Sequence, residues 1–106
     1  MKIRKPNDDQ DFYTLKVLAF GQDADILTGD LPDDKRVEIA LTKFSQEKIE
    51  SILAYTREMI EMNESLLASP VCDVMYIEYI TDDKMTLGAF LETIIFACEK
   101  GLVMPS

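Results

Sequence analysis

Histidine is absent from this 106-residue chain, which removes the commonest general base and a common metal ligand. Tryptophan is absent too, while methionine occurs six times, a balance that points to an adaptable core or contact surface. Cysteine is scarce. Cys72 and Cys98 have no metal-ligand spacing and both fall in apolar segments. Two reduced, buried thiols in a cytoplasmic protein are the expectation, with a disulfide joining a fourth strand to the last helix as the alternative. The four glycines are isolated, so no glycine-rich phosphate loop is present. No apolar run approaches the ~18 residues of a membrane helix. Lys2, Arg4 and Lys5 are followed by Pro6-Asn7-Asp8-Asp9 rather than by an apolar stretch, so no secretory signal is expected.

Positive charge is the other shortage. Eleven bases stand against 20 acids, for a formal charge of −9. Between residues 8 and 34 lie Asp8, Asp9, Asp11, Asp23, Asp25, Asp30, Asp33 and Asp34, with Lys16 as the lone base among them. Such a surface repels nucleic-acid phosphates and anionic membranes and attracts basic proteins. Hydrophobic content of 47% with 29% charged residues is ordinary for a folded chain and unlike a disordered one. One domain over residues 1–106 is expected, with residues 1–10 as a flexible N-terminal arm.

Residues 12–20 are rich in aromatic and β-favouring types and are apolar on both alternating faces. They read as a strand. A helix competes, because Asn7 and Gln10 have capping-box spacing. Residues 24–30 and 36–43 read as a hairpin about Leu31-Pro32-Asp33-Asp34-Lys35. In its second arm Val37, Ile39 and Leu41 alternate with polar or small residues, although Val37, Leu41 and Phe44 also fit helical spacing. Residues 46–68 form the clearest helix. Ser45 caps it, Ser69-Pro70 stops it, and an apolar arc of roughly 180° includes Tyr55 and Met62. Val71–Ile80 reads as a strand apolar on both faces, followed by a polar turn at residues 81–84. A last helix spans residues 87–100, with Thr86 as cap and Gly101 in the C′ position. Phe96 points away from its apolar face, among Glu92, Glu99 and Lys100. The order is β-β-β-α-β-α, and the expected fold is a small α+β sandwich, a mainly antiparallel sheet packed by two helices.

Chemistry-bearing patterns are weak. Asp23-Ala24-Asp25 has the two-aspartate spacing of a phosphotransfer site, but Gly21 and Gln22 separate it from the preceding element. A calcium loop from Asp23 fails at Leu27 and Thr28, where a ligand and a glycine are needed. The cysteines and serines have no histidine to activate them. The chain is therefore expected not to be an enzyme and to need no cofactor or metal. A binding role fits better: an inhibitor, immunity or antitoxin-like protein that occludes a basic target. Asp23, Asp25, Asp30, Asp33 and Asp34 would supply complementary charge, and Tyr55 or Phe96 an anchor. The rival readings are an acidic homodimeric chaperone or adaptor, using the broad apolar face of residues 45–68 with residues 71–80, and a carboxylate-based metal enzyme.

Overall fold

The computed structural model describes residues 3, 4, 6, 10–21, 24, 31–75, 77, 80, 82 and 84–103. Helix α1 (Gln10–Phe20) occupies the segment expected as a first strand. Alternation could not separate the two possibilities because apolar side chains lie on every side of it. Packing selects the 3.6-residue period: Phe12, Leu15, Ala19 and Phe20 are buried, while Tyr13 and Thr14 are exposed. Lys16 then stands one turn from Tyr13, with its ammonium 5.1 Å from the ring centre.

Helix α2 (Asp33–Leu41) replaces the second hairpin arm. Pro32 stands at its N-cap position, and Pro32 O accepts the first helical bond from Arg36 N at 3.0 Å. Asp33 and Asp34 lie in the first turn, where the helix dipole favours acids. Val37, Ala40 and Leu41 are buried at helical spacing. Ile39, the residue that made the segment look alternating, is only half-buried. The first arm, residues 24–30, lies outside the described residues apart from Ala24, which is buried.

Helix α3 (Gln46–Met62) starts where expected. Ser45 has extended backbone, and its hydroxyl accepts from Lys48 N at 3.3 Å. The helix stops earlier than residue 68. Asn63 ends it, with its side-chain Nδ2 donating to Met59 O at 2.7 Å, and a 3₁₀ turn (Glu64–Leu66) follows. The expected strand at Val71–Ile80 begins instead as a four-residue helix, α4 (Val71–Val74), entered through Pro70. Residues 76, 78 and 79 of that stretch lie outside the described residues. Among the described residues the β pairing here is an isolated antiparallel bridge between Pro70 and Thr86, flanked by Val71 N to Met85 O and Leu87 N to Ser69 O, both 2.8 Å. Helix α5 (Leu87–Val103) is capped as expected, Thr86 Oγ1 accepting from Ala89 N at 3.1 Å.

The α+β sandwich is therefore wrong: among the described residues the elements are helical and no sheet forms. Helix α5 is the hub. It packs most extensively on α3, then on α2, while α1 closes over α2 and α3. Its buried stripe, Leu87, Phe90, Leu91, Ile94, Ala97 and Cys98, fills the centre, with the Phe90 ring 5.3 Å from Phe20. Arg36, itself buried, ties α1 to α2 by donating from its guanidinium to Ala19 O at 3.4 Å and from Nε to Leu31 O at 3.0 Å. A cation there complements the C-terminal end of α1. No helix among the described residues is long and apolar enough to cross a membrane.

Two glycines have opposite roles in α5. A Cβ on Gly88 would lie 3.2 Å from Leu67 O, because Gly88 N donates to that same carbonyl at 3.0 Å. Gly101 does not occupy the C′ position. The helix runs through it to Val103, and a Cβ there would make an ordinary 3.9 Å contact with Ile49 Cδ1. Gly101→Ala is therefore expected to stabilise the fold by roughly 0.5–1 kcal/mol, the helix-propensity gain. A left-handed C′ glycine would give the opposite sign in denaturant unfolding.

Candidate functional site

The outer stripe of α5 carries the most exposed large apolar side chain among the described residues, Phe96, at 68%. One turn before it is Glu92, and one turn after it are Glu99 and Lys100, all exposed. The latter two are tied down. Glu99 Oε2 accepts from Arg57 of α3 at 2.7 Å, and Lys100 Nζ meets Glu38 Oε1 of α2 at 2.8 Å. Phe96 thus rises from a backbone braced to both neighbouring helices. These ion pairs are solvent-exposed and each contributes about 0.2–1 kcal/mol at most, so their larger effect is to fix side-chain directions around the ring.

Next to Phe96 in sequence, Ala97 opens a groove of about 510 Å³ between α2, the turn at residues 42–45, and the facing ends of α3 and α5. Ile39, Leu41, Phe44, Ile49 and Ala97 give it an apolar floor. Its charged walls are Lys35, Glu38 and Lys100. Glu38 accepts from both lysines, the Lys35 pair being 3.4 Å. The Lys100 hydrogen bond, helped by Lys35, holds the Glu38 carboxyl below its ordinary pKa against the opposing effect of burial. Sequence reasoning missed this site. Glu38 and Lys100 are 62 residues apart, and the one hint in the chain was the helical spacing of Val37, Leu41 and Phe44.

The expected contact residues are dispersed. Asp23, Asp25 and Asp30 lie outside the described residues, as do most positions of the phosphotransfer and calcium-loop patterns. Asp34 is exposed at the start of α2, but Asp33 beside it is only 6% exposed. Tyr55 is in the core at 8% exposure, its ring 5.1 Å from Phe12, so it presents no anchor to solvent. Of the two expected anchors only Phe96 is exposed; Tyr13 of α1, which the contact set omitted, is a second exposed aromatic at 54%. Exposed acids that the contact set omitted line the outer arc of α3, where Glu47, Glu50, Glu58 and Glu61, with Glu64 in the turn that follows, outnumber Lys48 and Arg57.

The thiols divide rather than pair. Both are free, Cys72 exposed on α4 and Cys98 buried in α5. The disulfide alternative therefore does not form, and only one thiol is buried. Burial pushes Cys98 up to about 12, with Glu99 adding to the rise. Since the thiolate is the reactive form, a thiol reagent at pH 8 is expected to label one equivalent, at Cys72, in the folded protein. The second equivalent should appear only on unfolding; fast labelling of both would contradict the packing of α5. Among the described residues no group of three or more cysteine, aspartate or glutamate side chains could hold a metal ion.

Comparison with family models, curated proteins and solved structures found no match.

Proposed function

We propose that this protein acts by binding another protein, as a small acidic helical module that occludes a basic target. The observation that carries the reading is Phe96, an aromatic ring 68% exposed on the hub helix and braced on both sides by the Arg57–Glu99 and Lys100–Glu38 pairs. Interfaces concentrate their binding energy in a few such rings surrounded by polar groups that exclude water. The formal charge of −9 supports a basic partner, because excess charge of one sign steers encounter with the other. Asp34 and the outer glutamates of α3 are the described exposed acids that would contribute. Two free cysteines fit a reducing compartment such as the cytoplasm. The chaperone or adaptor reading draws less support, since the broad apolar face of α3 is taken up inside the same chain, where α1 and α5 pack on it.

The test is capture from native lysate at low salt with the wild-type chain and with Phe96→Ser. One basic protein retained by wild type, released by raised salt and lost with Phe96→Ser is the expected result. Equal capture by both forms would reject the α5 face. A homodimer in light scattering with no basic partner would reject the inhibitor reading.

A further inference from the structure

The groove that starts at Ala97 has a chemistry the acidic surface does not share. Its charged walls are two lysines and one glutamate, a local charge of +1 in a chain of −9. Its floor is apolar. We propose that this groove binds the monoanion of an apolar acid, a long-chain carboxylate. The hydrocarbon would lie against Ile39, Phe44, Ile49 and Ala97, and the carboxylate would take N–H donors of the Lys35 and Lys100 ammonium groups that Glu38 leaves free.

Charge favours a monoanion. It brings the walls to neutrality, whereas a dianion would leave them negative and a cation would raise them to +2. Donor capacity allows it as well. Each lysine ammonium has three N–H donors, and each is joined to a single oxygen of Glu38. An incoming carboxylate can therefore be held without displacing Glu38. Size suits a small molecule. A volume of about 510 Å³ falls within the ~300–1,000 Å³ of small-ligand sites. The lysines are about half exposed, at 53% and 45%, so the headgroup end faces water while the tail lies along an apolar floor, as an amphiphile requires.

The test uses dodecanoate, kept below its micelle-forming concentration, titrated into the full chain and followed by amide NMR shifts. Saturable 1:1 binding is expected, with the shifted amides clustered at Ile39, Phe44, Ile49, Ala97 and Gly101. A Lys35→Gln/Lys100→Gln double variant should bind at least tenfold more weakly, and dodecyltrimethylammonium should bind wild type at least tenfold more weakly than dodecanoate does. Gly101→Leu, which places a side chain in the groove, should abolish binding while leaving the circular dichroism helical. Phe96→Ser should bind dodecanoate like wild type, which separates this site from the protein-binding face. Absence of saturation, shifts scattered away from the groove, undiminished binding by the double variant, or equal affinity for the cationic amphiphile would each overturn the proposal. So would the same amide shifts appearing on simple concentration without ligand, because a second copy would then be the occupant.

Discussion

Phe90→Ala is expected to cost about 3–5 kcal/mol of folding stability, whereas Phe96→Ser, six residues further along the same helix, should change it by less than ~0.5 kcal/mol. Phe90 is 1% exposed and meets the Phe20 ring at 5.3 Å, at the point where α5 and α1 contribute to one core. Truncation there removes the transfer free energy of a whole ring and leaves a cavity that the surrounding helices can only partly close. A domain of this size is typically stable by ~5–15 kcal/mol, so the loss takes a large share of the total. At ~4–8 °C per kcal/mol the melting temperature should drop by more than ~12 °C. Phe96 makes no comparable burial at 68% exposure. Thermal unfolding of the two variants side by side is the measurement. Similar losses from both would mean that α5 is rotated from the orientation described here.

Asn63→Ala is expected to destabilise by about 1–2 kcal/mol, more than its small size suggests. Asn63 is 2% exposed at the end of α3. Its Oδ1 accepts from Arg4 N at 2.8 Å, and its Nδ2 donates to Arg4 O at 2.9 Å and to Met59 O at 2.7 Å. One amide side chain thus satisfies both backbone groups of Arg4, as a neighbouring strand would, and closes α3. Removing it leaves those part-buried groups without their partner, at a cost towards the lower end of the ~1–3 kcal/mol for a buried group, because Arg4 is exposed. Asn63→Asp separates the parts of this interaction. A carboxylate can still accept from Arg4 N but cannot donate to Arg4 O or Met59 O. It should therefore fail to restore stability, and hydrogen exchange at the Arg4 amide should accelerate in the alanine variant. Full stability in the aspartate variant would show that the two donated bonds are dispensable.

The elements that the sequence made legible are those with one-sided periodicity and a local cap. Ser45 and Thr86 mark the starts of α3 and α5 because a hydroxyl at the N-cap acts within three residues. The face of α5 was readable for the same reason. Leu87, Phe90, Leu91, Ile94, Ile95, Ala97 and Cys98 repeat at helical spacing, and all but the half-buried Ile95 are buried. Phe96 breaks that stripe and is exposed, as its polar neighbours implied.

Residues 12–20 and 36–43 were misread where local signals balanced. Apolar residues on every side of α1 match period 2 and period 3.6 equally well. In α2 the half-buried Ile39 completes an apparent alternation that is really the wall of a groove. Tertiary packing broke both ties, because Phe12 and Tyr55, or Val37 and the hub helix, can be buried together only if these segments coil. The stretch after Pro70 was misjudged for a related reason. Its apolar run has buried contacts at Val71 and Met75, and among the described residues it has no partner strand beyond the bridge of Pro70 to Thr86.

By itself the sequence determined the charge balance, the absence of histidine chemistry, the two capped helices and the outward position of Phe96. Each of these depends on residues adjacent in the chain or on composition. Only the tertiary structure decided the helical packing of the described residues, the burial of Tyr55 and Asp33, the contrast between the two thiols, and the Lys35–Glu38–Lys100 groove. Those depend on contacts between residues far apart in sequence, and local propensity, worth a few tenths of a kcal/mol per residue, is outweighed by the burial of whole side chains at about 1.5–3 kcal/mol each.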